Sequence, residues 1–183
     1  KMAAKRVGVL TGGGDCPGLN AVIRAVTKTA IFQHGIEVLG VLNGYEGLIC
    51  DEVTLLDPKD VSGILTRGGT ILGTNNRCSP LKFREGEEAD GTPRFIDATD
   101  RCLVTIEKHR IDALIVIGGD GTMSCTAPLV TAGVPCVGVP KTIDNDIHGC
   151  DLSFGFTTAM TTATLSLDRL HSTADSHHRV MVC

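Results

Sequence analysis

The sequence predicts an α/β fold in which helices flank a mainly parallel sheet, and three observations predict it. Short aliphatic runs alternate with longer segments of helical periodicity, the pattern of successive βα units. The runs are continuously apolar, as strands buried on both faces are. Three of them, "GVLTGGGD", "LIVIGGDGT" and "VGVPKTIDND", end in glycine, aspartate and hydroxyl residues. Open α/β sheets bind ligands at such carboxyl-end turns.

Element by element, "RVGVLT" reads as a first buried parallel strand. "PGLNAVIRAVTKTAIFQHG" reads as a helix: Leu19, Val22, Ile23, Val26 and Ala30 share one face, Pro17 suits the first turn and Gly35 the stop. "EVLGVL" is a second strand, "DPKDVSGIL" a short helix, and "GGTILGT" a glycine-bounded strand or turn. Residues 75–95 have few aliphatics and many charges, and are expected as an exposed excursion. "ATDRCLVTIEKHR" is a helix with Asp97 or Thr99 near its start, "DALIVIGG" the strongest strand, "TMSCTAPLVTAG" a helix and "VPCVGVP" another buried strand. In "FTTAMTTATLSLDRL", Phe156, Ala159, Met160, Ala163, Leu167 and Leu170 fall on one helical face. "RVMVC" opens a further strand at which the sequence stops, so a truncated chain is expected.

Bulk properties narrow the function. The 183 residues are 42% hydrophobic and only 3% aromatic, so aliphatic side chains must build the core. A net charge of −4 and a pI near 5.8 argue against a nucleic-acid binder, whose footprint is basic. No apolar run has membrane-spanning length and the N-terminus lacks a secretory pattern. The eight cysteines, Cys16, Cys50, Cys78, Cys102, Cys125, Cys136, Cys150 and Cys183, are spread without a CxxC pair, so neither a disulfide framework nor a thiolate metal site is expected. These features fit a reduced, cytoplasmic protein without nucleic-acid or membrane partners.

Glycine and aspartate occur in strand-to-helix turns of any α/β protein, but three such turns, two carrying acidic residues followed by Thr or Asn, point to a site. The common fingerprints do not fit. GxGxxG fails because Pro17 stands where the third glycine belongs, there is no GxxxxGK[ST], and "DNDIHG" lacks calcium-loop ligands at His148 and Gly155. Phosphoryl transfer fits instead, since its catalysis is mainly positioning and charge stabilisation by glycine-rich cradles, a Mg²⁺-holding carboxylate and cations. Asp120 lies between Gly119 and Gly121 at a strand end. Asp144 and Asp146 would share one face of an extended segment, one taking a proton and the other holding metal or orienting the first. Lys141 and Arg77 would supply positive charge.

"TGGGDCPGLNAVIRA", "NGYEGL", "RGGTILGT", "IGGDGT", "PKTIDNDI" and "SHHRV" resemble, in order and spacing, the motifs of the 6-phosphofructokinases, from about Lys5 to Cys183. The resemblance implies a Rossmann-like parallel-sheet sandwich as the first of two α/β domains: residues 1–153 as the nucleotide-binding domain and 154–183 as the start of an incomplete substrate domain, inactive alone. It implies Asp144 as the base taking the proton of the sugar 1-hydroxyl, with Thr142 on the transferring phosphate and Lys141 beside it. It implies Asp120 as the Mg²⁺ carboxylate, with Asp146 supporting. Gly13, Gly14, Arg77, Cys78, Gly119, Gly121 and Thr122 match positions that bind the nucleotide phosphates, and Tyr45 one close to the nucleotide. Arg179 resembles an arginine reaching fructose 6-phosphate in a neighbouring subunit, which implies a homo-oligomer, dimer or tetramer.

Two positions bear on the donor. Pyrophosphate-dependent members carry an aspartate where this chain has Gly121, which favours ATP. They also carry a lysine where this chain has Lys141, which leaves pyrophosphate as the alternative. Arg24 matches a basic position of the bacterial effector site, whereas Pro58 replaces another arginine of it. A non-catalytic regulatory subunit and an NAD- or lipid-kinase relative sharing "GGDGT" are the rival classes. The retained Asp120, Thr142 and Asp144 argue against the first, and "PKTIDND" against the second.

Overall fold

A computed structural model describes residues 4–182 of the chain. In chain order the elements are β1 (Arg6–Thr11), α1 (Leu19–His34), β2 (Glu37–Val41), α2 (Tyr45–Cys50), β3 (Val53–Leu55), β4 (Phe83–Glu87), β5 (Pro93–Ile96), α3 (Thr99–Lys108), β6 (Ala113–Gly118), α4 (Asp120–Thr131), β7 (Cys136–Thr142), β8 (Phe154–Gly155) and α5 (Phe156–Ser176). Six strands form one sheet in the order β3-β2-β1-β6-β7-β8, parallel except for β3, which runs antiparallel to β2. The expected α/β architecture is therefore present.

Period-two alternation puts Val7 and Val9 of β1 on one side of the sheet and Leu10 on the other. Val7, Val9, Val38 and Ile117 pack with α1 (Leu19, Val22, Ile23, Ala30) and with Leu56, Val61 and Leu72. Leu10, Val41, Leu114 and Val116 pack with α2, α3 and α4 through Leu48, Ile49, Cys102, Ile106 and Leu129. Covered on both faces, β1, β2 and β6 are apolar nearly throughout, whereas β7, expected as a buried strand, buries only Lys141 and leaves Val137 59% exposed. Because β1 pairs with β2 on one edge and β6 on the other, the chain crosses over in opposite directions from β1. This opens a crevice at the carboxyl ends of β1 and β6.

Several expectations need correction. Residues 57–65 form successive hydrogen-bonded turns, not a helix, because the left-handed Gly63 (φ 74°) breaks the run. Pro17 precedes α1 instead of occupying its first turn, since left-handed Gly18 (φ 96°) intervenes. The excursion at 75–95 is exposed as expected, yet it carries the β4–β5 hairpin, bulged between Arg84 and Gly86. The apolar stripe of α5 is not buried: Met160 and Leu167 are about half exposed, and no residue of the helix is buried. Residues 179–182 form no strand, because no neighbouring strand pairs with them and Val180 and Val182 are over 90% exposed. Cys183 lies outside the described residues.

Candidate active site

The crevice is built around Thr122 in the first turn of α4. Thr122 is buried against the ends of β1 and β6, and a Cβ at Gly12 or Gly118 would lie 2.6 or 2.5 Å from its side chain. Only glycine at both strand ends lets the helix sit this low. Gly12 N–H donates to Ile117 O at 2.9 Å, which continues the β1–β6 ladder into the glycine loop. Thr74 Oγ1 donates to Gly13 O at 2.6 Å, and Thr11 Oγ1 to Gly73 O at 2.8 Å, so hydroxyls fix both loops that enter the crevice.

Two cavities open there. One, of about 390 Å³, is lined by Gly13, Tyr45, Arg77, Cys78, Gly121 and Thr122, with Asn75, Ser79 and Cys125 among their neighbours. The other, of about 320 Å³, adds Gly14, Gly119, Lys141, Thr142 and Asp144. Gly13, Gly121 and Thr122 line both, so these are two lobes of one cleft. A Cβ at Gly121 meets nothing within 4 Å. Asp120 is exposed as the first residue of α4 and lines neither lobe; the same holds for Asp146 and, beyond the end of α5, for Arg179.

Lys141 lies inside β7, which runs on through Thr142, and not in a turn after the strand. Its side chain is 4% exposed, and Nζ donates to Gly14 O at 2.5 Å. Burial pushes its pKa down, opposed by the nearby Cys16 and Asp15. An ammonium offers three donors; one clamps the glycine loop, and Lys141 also lines the smaller lobe.

Asp144 and Asp146 do not share a face as the extended-chain argument required. Asn145 between them is left-handed (φ 53°), which breaks the alternation. Its Oδ1 accepts from Ser153 N (2.8 Å) and Ser153 Oγ (3.1 Å), pinning the turn to the segment before β8. Asp144 then lines the smaller lobe and Asp146 does not. Asp144 N–H donates to Thr142 Oγ1 at 3.1 Å, which leaves the threonine proton free to be donated elsewhere.

Tyr45 is buried, its hydroxyl 2.6 Å from Thr126 Oγ1 and donating to Thr122 O at 3.1 Å, and burial pushes its phenol pKa up. It joins α2 to α4 and forms wall, not a mobile contact. Burial likewise pushes the Cys78 thiol up to about 11, which keeps it protonated at neutral pH. Among the described residues, Asp15, Arg77, Asp120, Asp144 and Asp146 take part in no ion pair. Sequence reasoning missed Thr74, Asn75 and Asn145. The available signal was Thr-Asn directly after Gly73, and Asn between two acids, where side chains bond local backbone.

The Phosphofructokinase family profile matches residues 6–183. The chain is 51% identical over 178 residues to the ATP-dependent 6-phosphofructokinase 2 of Clostridium perfringens, covering 97% of this chain and 48% of that protein. It is 48% identical over 177 residues to the pyrophosphate–fructose 6-phosphate 1-phosphotransferase of Amycolatopsis mediterranei, covering 97% and 48%. Among solved structures, Saccharomyces cerevisiae phosphofructokinase superposes with a TM-score of 0.75 at 31% identity, over 94% of this chain and 25% of that one. The chain spans about half the length of the curated relatives it matches.

Proposed function

Because the chain belongs to the phosphofructokinase family, we propose that it serves transfer of the γ-phosphoryl group of ATP to the 1-hydroxyl of D-fructose 6-phosphate, a glycolytic step. One observation carries the reading: Gly121 opens without obstruction onto both lobes of a cleft whose far wall holds Lys141, Thr142 and Asp144. The larger lobe takes the nucleotide beside Tyr45, Arg77 and Cys78, and the smaller lobe takes the transferring phosphate.

In this reading Asp144, with no cationic partner, accepts the hydroxyl proton as the oxygen attacks phosphorus. Thr142 donates its free O–H to a phosphoryl oxygen. Lys141, already anchored to Gly14, holds negative charge from a fixed position, as electrostatic catalysis requires. Gly13, Gly14, Gly119 and Thr122 bring backbone N–H groups within reach of the phosphates, aided by the N-terminus of α4. No three His, Cys, Asp or Glu residues among the described ones gather to hold a metal. A Mg²⁺ site made of one or two carboxylates and substrate phosphates fits this donor set, with Asp120 as ligand and Asp146 in support. Bound there, Mg²⁺ would offset charge on the polyphosphate.

In this reading residues 1–153 make up the nucleotide domain and 154–183 the start of the sugar-binding one, with β8 (Phe154–Gly155) still paired to β7 of the first sheet. Arg179, exposed and away from its own cleft, would serve a neighbouring copy in a homo-oligomer. No helix of the described residues is long and apolar enough to cross a membrane.

The second reading is a pyrophosphate donor, favoured by Lys141 and by the Amycolatopsis relative. The deciding experiment, made on the full-length protein, compares kcat/KM for ATP and pyrophosphate with fructose 6-phosphate and Mg²⁺. An ATP preference of tenfold or more is expected; a pyrophosphate preference would replace this reading with the second.

A further inference from the structure

The "NGYEGL" segment contributes more than Tyr45. Helix α2 is seated in backbone contact with the end of β2, for a Cβ at Gly47 would lie 2.1 Å from Leu42 O. From this fixed base, adjacent side chains reach opposite walls of the larger lobe. Tyr45 OH bonds α4 at Thr122 and Thr126. Glu46 Oε2 accepts from Asn75 Nδ2 at 2.7 Å. Asn75 Oδ1 in turn accepts the backbone N–H groups of Arg77 (2.8 Å) and Cys78 (3.1 Å). Among the described residues no cation pairs with Glu46.

We infer that Glu46 is a positioning residue for the phosphoryl donor, acting through Asn75 on the Arg77–Cys78 turn. An ionised acceptor makes the stronger hydrogen bond and polarises the amide, so the two bonds at Asn75 Oδ1 strengthen with it. The acceptor also fixes which way the amide faces, since a flip would set Oδ1 against the carboxylate and NH₂ against two N–H donors. The turn that carries the exposed Arg77 side chain is thereby held at the lip of the lobe before any ligand arrives. Pre-organisation of this kind lowers the ordering cost of binding and leaves the chemical step alone.

The inference rests on the ATP reading of the larger lobe, and its test separates the two. In the full-length protein, Glu46→Ala and the near-isosteric Glu46→Gln are compared with wild type for ATP KM, kcat, fructose 6-phosphate KM and Tm. Hydrogen exchange at Arg77 and Cys78 is followed without ligand. Glu46→Ala should raise ATP KM about tenfold, with kcat and the sugar KM changed less than about twofold. Exchange should quicken at those two amides, and Glu46→Gln should recover part of both effects. Turnover of ATP by the wild type with an unchanged ATP KM in Glu46→Ala overturns the inference alone. So does a joint shift of kcat, both KM values and Tm, which marks general loosening. A wild type that saturates with fructose 6-phosphate yet ignores ATP overturns the donor reading, and this inference with it.

Discussion

Replacing Gly121 by aspartate tests the donor assignment with little disturbance of the fold. Gly121 is the second residue of α4, its φ is not positive, and a Cβ there meets no atom within 4 Å. A carboxylate in the first helical turn is favoured by about 0.3–1 kcal/mol through the helix dipole, and loss of a helical glycine adds up to about 1 kcal/mol. Tm should stay constant or rise slightly. The new charge would stand where the two lobes join, and a separation of about 5 Å from a bound donor phosphate is taken for the Coulomb estimate. At an effective dielectric constant of about 20, one pair of like charges at that distance costs about 3 kcal/mol, and solvent at the open cleft lowers this towards about 1 kcal/mol. ATP kcat/KM should then fall roughly 5- to 150-fold. Steady-state kinetics with both donors, paired with thermal unfolding followed by circular dichroism, read out the two halves. An ATP kcat/KM within twofold of wild type at unchanged Tm would refute the placement of donor phosphates beside Gly121. A Tm loss of more than a few degrees would refute the claim of open space.

Asp144→Ser should lower kcat about 10²- to 10⁴-fold, the usual range for loss of a general base, with ATP KM within about threefold; a kcat near wild type removes Asp144 from that role. Lys141→Met should cost activity far more than stability. One hydrogen bond to Gly14 O is lost, about 1 kcal/mol or roughly 2–4 °C in Tm, partly offset because the buried ammonium is itself penalised; kcat should drop at least about 100-fold, and a drop below threefold would mean Lys141 only clamps the loop. Asp112 accepts N–H bonds from Lys5 (2.7 Å) and Arg6 (2.9 Å), which hold its carboxyl below the usual range. Its stabilisation is present above the usual carboxylate pKa and disappears as pH falls through the lowered folded-state value. Asp112→Asn should therefore flatten Tm against pH between about pH 5 and pH 2, and an acid limb as steep as wild type's would contradict the bonds.

The sheet was legible because strands covered on both faces must be apolar at every position, which leaves an unbroken signal in "RVGVLT" and "DALIVIGG". The β4–β5 hairpin left no such run, only the Asp90–Gly91 pair of its turn. It is held by charged pairs such as Arg94–Glu85 and Arg101–Glu85 and by Lys82 stacked over Phe95, whose partners are chosen in space. At the cleft, the glycine-rich turns and "PKTIDND" named most of the lining. What they could not convey was direction. Reading 144 and 146 as one face assumed extended backbone, and the left-handed Asn145 defeated it. Reading Lys141 as a free cation assumed a turn, whereas β7 continues through it and buries the side chain against Gly14. Asn75 and Asn145 act by bonding backbone, which any surface asparagine could do.

The crossover at β1 also bears on how the chain comes to be folded. In the finished sheet β1 is central, yet its pairing with β6 joins residues more than a hundred positions apart, as the bonds from Lys5 to Asp112 show. On the ribosome, at about 5–20 residues per second, β1 spends on the order of 5–20 seconds with β2 on one side and a bare, aliphatic edge on the other. The innermost strand of the native protein is thus the outermost strand of the nascent one. For that interval it carries the hazard of unpaired edges, capture by another chain. The Gly14–Lys141 bond closes later still, across 127 positions, so the glycine loop takes its final shape only after β6 has covered that edge and β7 has paired with β6.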